Sequence, residues 1–126
     1  MSRPKPNLLF VFADQLRASS VGYAGEEAVR TPNIDAFAKS GTAYTNAVSM
    51  LPVCGPYRGS LITGRTPLST GLVINDVALK TTETSIGHCF KQAGYDTAYI
   101  GKWHLDGPDR PALVPPGPRR QGFDYW

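Results

Sequence analysis

Cysteine is scarce in this chain: Cys54 and Cys89 are the two in 126 residues, too few to build a disulfide framework. Long apolar runs are missing too. No stretch approaches the ~20 residues of a membrane span. The basic start followed by residues 8–13 hints at a secretion signal, but the apolar run is too short and Asp14 ends it. Dense basic clusters are absent; Arg119-Arg120 is only a pair. A net charge of +3 is weak support for an anionic ligand and makes no case for nucleic acid. There are no internal repeats. What remains, 41% hydrophobic and 18% charged residues, is ordinary globular composition. The length suits one small domain with its own core, not a large enzyme. With no clear leader the compartment stays open, a cytoplasmic one slightly favoured, and the oligomeric state is unreadable.

Proline and glycine punctuate the chain. Residues 7–13 (Asn-Leu-Leu-Phe-Val-Phe-Ala) form a continuous apolar run that suits a strand buried on both faces. Asp14 and Gln15 follow at its carboxyl end, where open α/β sheets place ligands. Thr31-Pro32 predicts a helix start, with Ile34, Phe37 and Ala38 as its apolar face and Gly41 as its stop. Residues 42–48 read as a strand. Residues 56–62 form the next predicted helix, ended by Gly64. Residues 84–93 form another, with Ile86, Cys89, Phe90 and Ala93 at helical spacing and Gly94 as terminator. Residues 96–100 are a predicted strand, with 101–104 just past its end. Residues 106–122 are a Pro/Gly-rich loop. The alternation argues for an α/β layer architecture.

Cys54 draws attention. Pro52 and Pro56 stiffen the backbone around it, and Pro56 at the first helical position makes Gly55 the cap and leaves Cys54 just outside. Free N–H groups and the helix dipole then favour an anion beside it. Arg58, in the first turn, can add a charge-assisted contact to an oxyanion. The generic reading is an activated cysteine facing an anionic substrate; for an isolated cysteine the bland alternative, a buried structural thiol, is favoured. Asp14 could equally begin a turn. Lys102 and His104 could be a solvated loop pair around a core Trp103. His88 and Asp35 read as helix residues, Cys89 as core, and Asp76, Asp106 and Asp109 as loop residues without a role.

Cys54-x-Pro56-x-Arg58, followed by Leu61, Thr63, Gly64 and Arg65, resembles the signature of type I sulfatases. The resemblance extends over nearly the whole chain in the same order: Pro6-Asn7 with Asp14, Thr31-Pro32-Asn33-Ile34-Asp35, Phe37-Ala38-x-x-Gly41, Ala93-Gly94-Tyr95-x-Thr97, Gly101-Lys102-Trp103-His104-Leu105 and Gly122-Phe123-Asp124-Tyr125. It is specific for the family and says nothing of the substrate alcohol.

The resemblance implies an alkaline phosphatase-like α/β sandwich with a mostly parallel central sheet and flanking helices. It implies a sulfuric ester hydrolase in which a formylglycine-generating enzyme oxidises Cys54 to Cα-formylglycine. The hydrated aldehyde then attacks sulfur with one hydroxyl and expels sulfate with the other, so the adduct breaks by elimination. It implies a divalent metal, calcium first with Mg2+ or Mn2+ as alternatives, held by Asp14, Gln15 and the converted Cys54. Many relatives have Asp-Asp at 14–15; Gln15 offers a carbonyl oxygen without charge. Arg58, Lys102 and His104 match catalytic positions, and Asn75 a weaker substrate-facing one. The substrate would be a small sulfate ester or a sulfated glycan.

The family's second metal pair and a further His and Lys normally lie downstream. Residues 1–126 are therefore expected to be an incomplete, truncated N-terminal segment of a longer catalytic domain, inactive alone. Phosphonate or phosphate ester hydrolysis on the same scaffold, and a silent remnant, stay open as alternatives.

Overall fold

The structure, a computed structural model, describes residues 5–108 and 113–126. It divides into two units, Met1–Ala47 and Val48–Trp126. Among the described residues no helix is long and apolar enough to cross a membrane.

In the first unit, helix α1 runs Pro32–Ser40, with Pro32 in its first turn and Gly41 after its last residue, where the sequence places them. Thr31 precedes it without accepting from a helix amide. Its hydroxyl instead accepts from Gly22 N (2.7 Å) and donates to Asp35 Oδ1 (2.7 Å), which also accepts from Tyr23 N (2.8 Å). Asp35 thus ties the helix start to the short 3-10 turn Gly22–Ala24. A second carboxylate, Glu27, accepts from Ser19 (2.9 Å), Ser20 (2.9 Å) and Arg17 (3.2 Å).

Apolar enclosure is thin in this unit: Val21 is buried, but Ile34 and Phe37 on the expected apolar face of α1 are exposed. The expected strand at residues 7–13 is not formed. The run is irregular, and Leu9 is 86% and Val11 80% exposed. A strand buried on both faces needs ladders to its neighbours, and no ladder pairs this segment among the described residues. Residues 42–48 are likewise not a strand: they are exposed and carry a turn at 45–46.

In the second unit, α2 runs Cys54–Thr63 and ends at Gly64 in the left-handed region (φ 66°), whose N–H donates to Ser60 O, an arrangement that spares a β-carbon. Its start differs from the expected one. Val53 is the cap and Cys54 the first helical residue; the first bond runs from Tyr57 N to Val53 O (2.9 Å), which draws Cys54 and Gly55 into the turn ahead of Pro56. A one-turn helix α3, Pro67–Thr70, was not expected, although Thr66-Pro67 before Gly71 repeats the punctuation of α1; Thr66 caps it by accepting from Ser69 N. Helix α4 is Ile86–Gln92, capped by a reciprocal pair in which Ser85 Oγ accepts from His88 N and His88 Nδ1 accepts from Ser85 N, the capping-box logic with an imidazole in place of an acid. Cys89, expected in the core, is exposed, as are Ile86 and Ala93; of the expected apolar stripe only Phe90 is partly enclosed among the described residues, edge-on to Tyr95.

The core of this unit comprises Ile62, Leu72, Leu79, Trp103, Leu105 and Val114, with Val77, Tyr99 and Phe123 against it. Gly59 matters here: a β-carbon on it would lie 2.6 Å from Leu72 Cδ2, so the glycine lets α2 close on the core. The expected strand at 96–100 is reduced to a single parallel bridge, Ala98 with Tyr125, flanked by Tyr99 N to Tyr125 O (3.0 Å) and Tyr125 N to Thr97 O (3.0 Å). The chain end is docked through this bridge. Trp126 stacks on Tyr99 at 5.4 Å, and Arg120 lies over its ring at 5.1 Å. The described residues of 106–122, namely 106–108 and 113–122, are irregular as expected apart from the 3-10 turn Pro118–Arg120. Asp106 in this stretch pairs with Arg119 and bridges to Ala78; Asp109 lies outside the described residues.

Candidate active site

The second unit brings five of the expected residues, Cys54, Arg58, Asn75, Lys102 and His104, together around the start of α2. Cys54 is partly buried in the first turn, and Lys102 Nζ donates to its Sγ at 3.4 Å. An ammonium and the positive end of a ten-residue helix therefore meet at one sulfur, a field that favours an anion there.

Arg58, one turn along, is 5% exposed. Its Nη1 donates to Tyr99 Oη (3.1 Å) and to the Lys102 carbonyl (2.5 Å), which also accepts from the Tyr99 hydroxyl (2.5 Å). A buried guanidinium is costly without such partners. These bonds fix Arg58 and the backbone of Lys102 against each other, so the residue that carries the ammonium is anchored by its own main chain.

Asn75 Oδ1 accepts from Gly55 N at 2.9 Å. It satisfies one of the orphan amides of the α2 first turn from twenty positions away, the service a local cap would otherwise give. Its carbonyl oxygen is thus engaged with the helix start. Gly55 is closely packed: a β-carbon there would lie 3.3 Å from Asn75 Oδ1 and 3.4 Å from the His104 carbonyl. His104 itself has a side chain only 3% exposed, with Nε2 3.2 Å from Asp76 Oδ1.

Asp14 and Gln15 lie in the first unit, both exposed. Their chemistry suits a hard cation, since each offers an oxygen donor. Among the described residues no three His, Cys, Asp or Glu side chains gather into a metal-holding group.

Sequence reasoning missed Tyr99 and Asp76. Tyr99 fell within the expected strand 96–100, and nothing local marks its hydroxyl. Asp76 could have been suspected from its place beside Asn75, but its partner lies 28 residues on.

Comparison with known proteins agrees with this geometry. The family model Sulfatase matches residues 6–126. An ulvan-active sulfatase from Formosa agariphila is 52% identical over 122 residues, covering 97% of this chain and 24% of that protein. An endo-4-O-sulfatase from Bacteroides thetaiotaomicron is 34% identical, covering 96% and 30%. The crystal structure of the yidJ sulfatase-family protein from Bacteroides fragilis superposes with a TM-score of 0.89 at 37% identity, covering all of this chain and 32% of the other. The chain thus spans about a quarter to a third of the length of these relatives. With the cysteine, arginine, lysine and histidine held around one helix start and the match running over residues 6–126, this chain belongs to the sulfatase family.

Proposed function

We propose that these residues are the N-terminal segment of a sulfatase catalytic domain and supply the nucleophile-bearing part of a site that hydrolyses sulfate esters. The observation that carries this reading is the Lys102 ammonium on Cys54 Sγ at the positive end of α2. A sulfate ester presents anionic oxygens to any nucleophile at position 54. Lys102 and the α2 amides would attract those oxygens and hold them in line. Arg58, fixed by Tyr99 and the Lys102 carbonyl, keeps the first turn from shifting. His104 would exchange a proton with the nucleophile or the leaving oxygen.

Cys54 is the position that a formylglycine-generating enzyme would convert, and the converted side chain would supply a hydroxyl nucleophile. A divalent cation, calcium in the first instance, would when bound neutralise sulfate charge, with Asp14 and Gln15 as two of its oxygen donors. The exposed apolar run at 7–13 fits a strand of a mostly parallel sheet in the longer protein. The names of the polysaccharide-directed relatives favour a sulfated glycan over a small aryl ester as the natural substrate.

Turnover of an aryl sulfate and an aryl phosphonate by the full-length protein tests the reaction class. Sulfate preference is the expected result; phosphonate preference would move the chain to the other hydrolases of the superfamily.

A further inference from the structure

Asp76 and His104 meet with unusual backbones. Both are in the left-handed region, at φ 66° and 56°, which few non-glycine residues adopt. Their contact, Nε2 to Oδ1 at 3.2 Å, joins segments 28 residues apart. The imidazole is enclosed while the carboxylate is 39% exposed, so the hydrated group is the acid and the sequestered one is the ring.

An ionised carboxylate only accepts hydrogen bonds. The nitrogen facing Asp76 must then carry the proton, and in the neutral ring the lone pair falls on Nδ1. That atom is buried and has no hydrogen-bond partner among the described residues. Buried polar atoms are paired in nearly all cases, so this nitrogen stands out as the unengaged acceptor of the ring. The neighbouring residue, Asn75, holds Gly55 N. Two consecutive side chains therefore fasten two different parts of the site.

We propose that Asp76 is a positioning residue that fixes the orientation and tautomer of His104, proton on Nε2 and basic nitrogen at Nδ1, while Asn75 fixes the helix start in register with it. The proposal rests on the reading of His104 as a site residue.

The test is 15N spectroscopy of the imidazoles in the full-length protein, with His104→Gln assigning the resonance, alongside kinetics on an aryl sulfate. The expected parent signal is a pyridine-like Nδ1 and a pyrrole-like Nε2. Asp76→Ala should mix the tautomers and lower kcat about 10- to 100-fold, with KM held within about threefold. Asp76→Asn, whose amide oxygen still accepts from Nε2–H, should keep the tautomer and recover part of kcat. A parent ring protonated on Nδ1 overturns the proposal, and this result decides even if the alanine variant does not fold. Unchanged tautomer and kcat in Asp76→Ala overturn it equally. A tautomer that responds as stated in a protein without sulfate turnover supports the positioning role and sinks the sulfatase reading instead.

Discussion

The two units solve the problem of holding shape by different means. The first, up to Ala47, relies on carboxylates: Asp35 and Glu27 collect hydroxyls, an amide and an arginine, while Leu8, Leu9, Phe10 and Val11 stand in solvent. The second, from Val48, closes Leu72, Leu79, Trp103 and Leu105 into a core and hangs Cys54, Arg58, Lys102 and His104 on its rim. Preorganisation of a reacting constellation needs side chains locked by packing. Only the second unit offers that among the described residues, and there the polar bonds of Arg58, Asn75 and Asp76 build on an apolar base.

That contrast can be broken from either side. The largest effect is expected from Cys54→Ala in the full-length protein: turnover falls about a thousandfold or more, while the thermal melt stays where it was. Chemistry would then separate from packing within one unit, and near-parent rates would unseat the nucleophile assignment. Leu72→Ala should do the converse, costing about 2–5 kcal/mol of stability in a denaturant titration. Loss of protection spreading through α2, Cys54–Thr63, would confirm that the core supports the site; a cost under about 0.5 kcal/mol, the range of surface substitutions, would show that it does not. The smallest perturbation is none at all: hydrogen exchange on this chain should find the amides of residues 7–13 opening at near-zero free energy, against several kcal/mol for the interior of α2. Slow exchange at 7–13 would mean that the first unit has a partner for this segment and would erase the comparison.

Helix ends were the most legible part of the sequence because their causes are local. Pro32 with Gly41 and Gly64 after α2 each act within a turn; the Ser85 cap of α4 was not singled out, and the start of that helix was set two residues early at Thr84. Strands were not legible, since a strand exists only with a partner. Residues 7–13 and 42–48 have the composition and lack the ladder, and 96–100 reached one bridge by borrowing Tyr125. The exposed Cys89 shows the same limit for helices: spacing gives α4 an apolar stripe, and tertiary structure decides whether anything lies over it. At the site, Cys54 and Arg58 were read from the chemistry of a helix start and Lys102 and His104 from the resemblance, and the structure gathers them. The start of α2 was misplaced because Pro56 was read as the first helical residue, whereas a proline is tolerated anywhere in the first turn. Tyr99 and Asp76 stayed hidden because their roles depend on contacts made across 41 and 28 residues.

The double acceptor at Lys102 has an evolutionary corollary. Its carbonyl receives Arg58 and Tyr99, yet a carbonyl belongs to every amino acid. The anchor and the ammonium that faces Cys54 share one position but sit on different atoms. A substitution there that keeps the backbone conformation keeps the acceptor for Arg58 and Tyr99 and changes the side chain alone, so the group presented at position 102 can be exchanged in a lineage without first dismantling the bonds that present it.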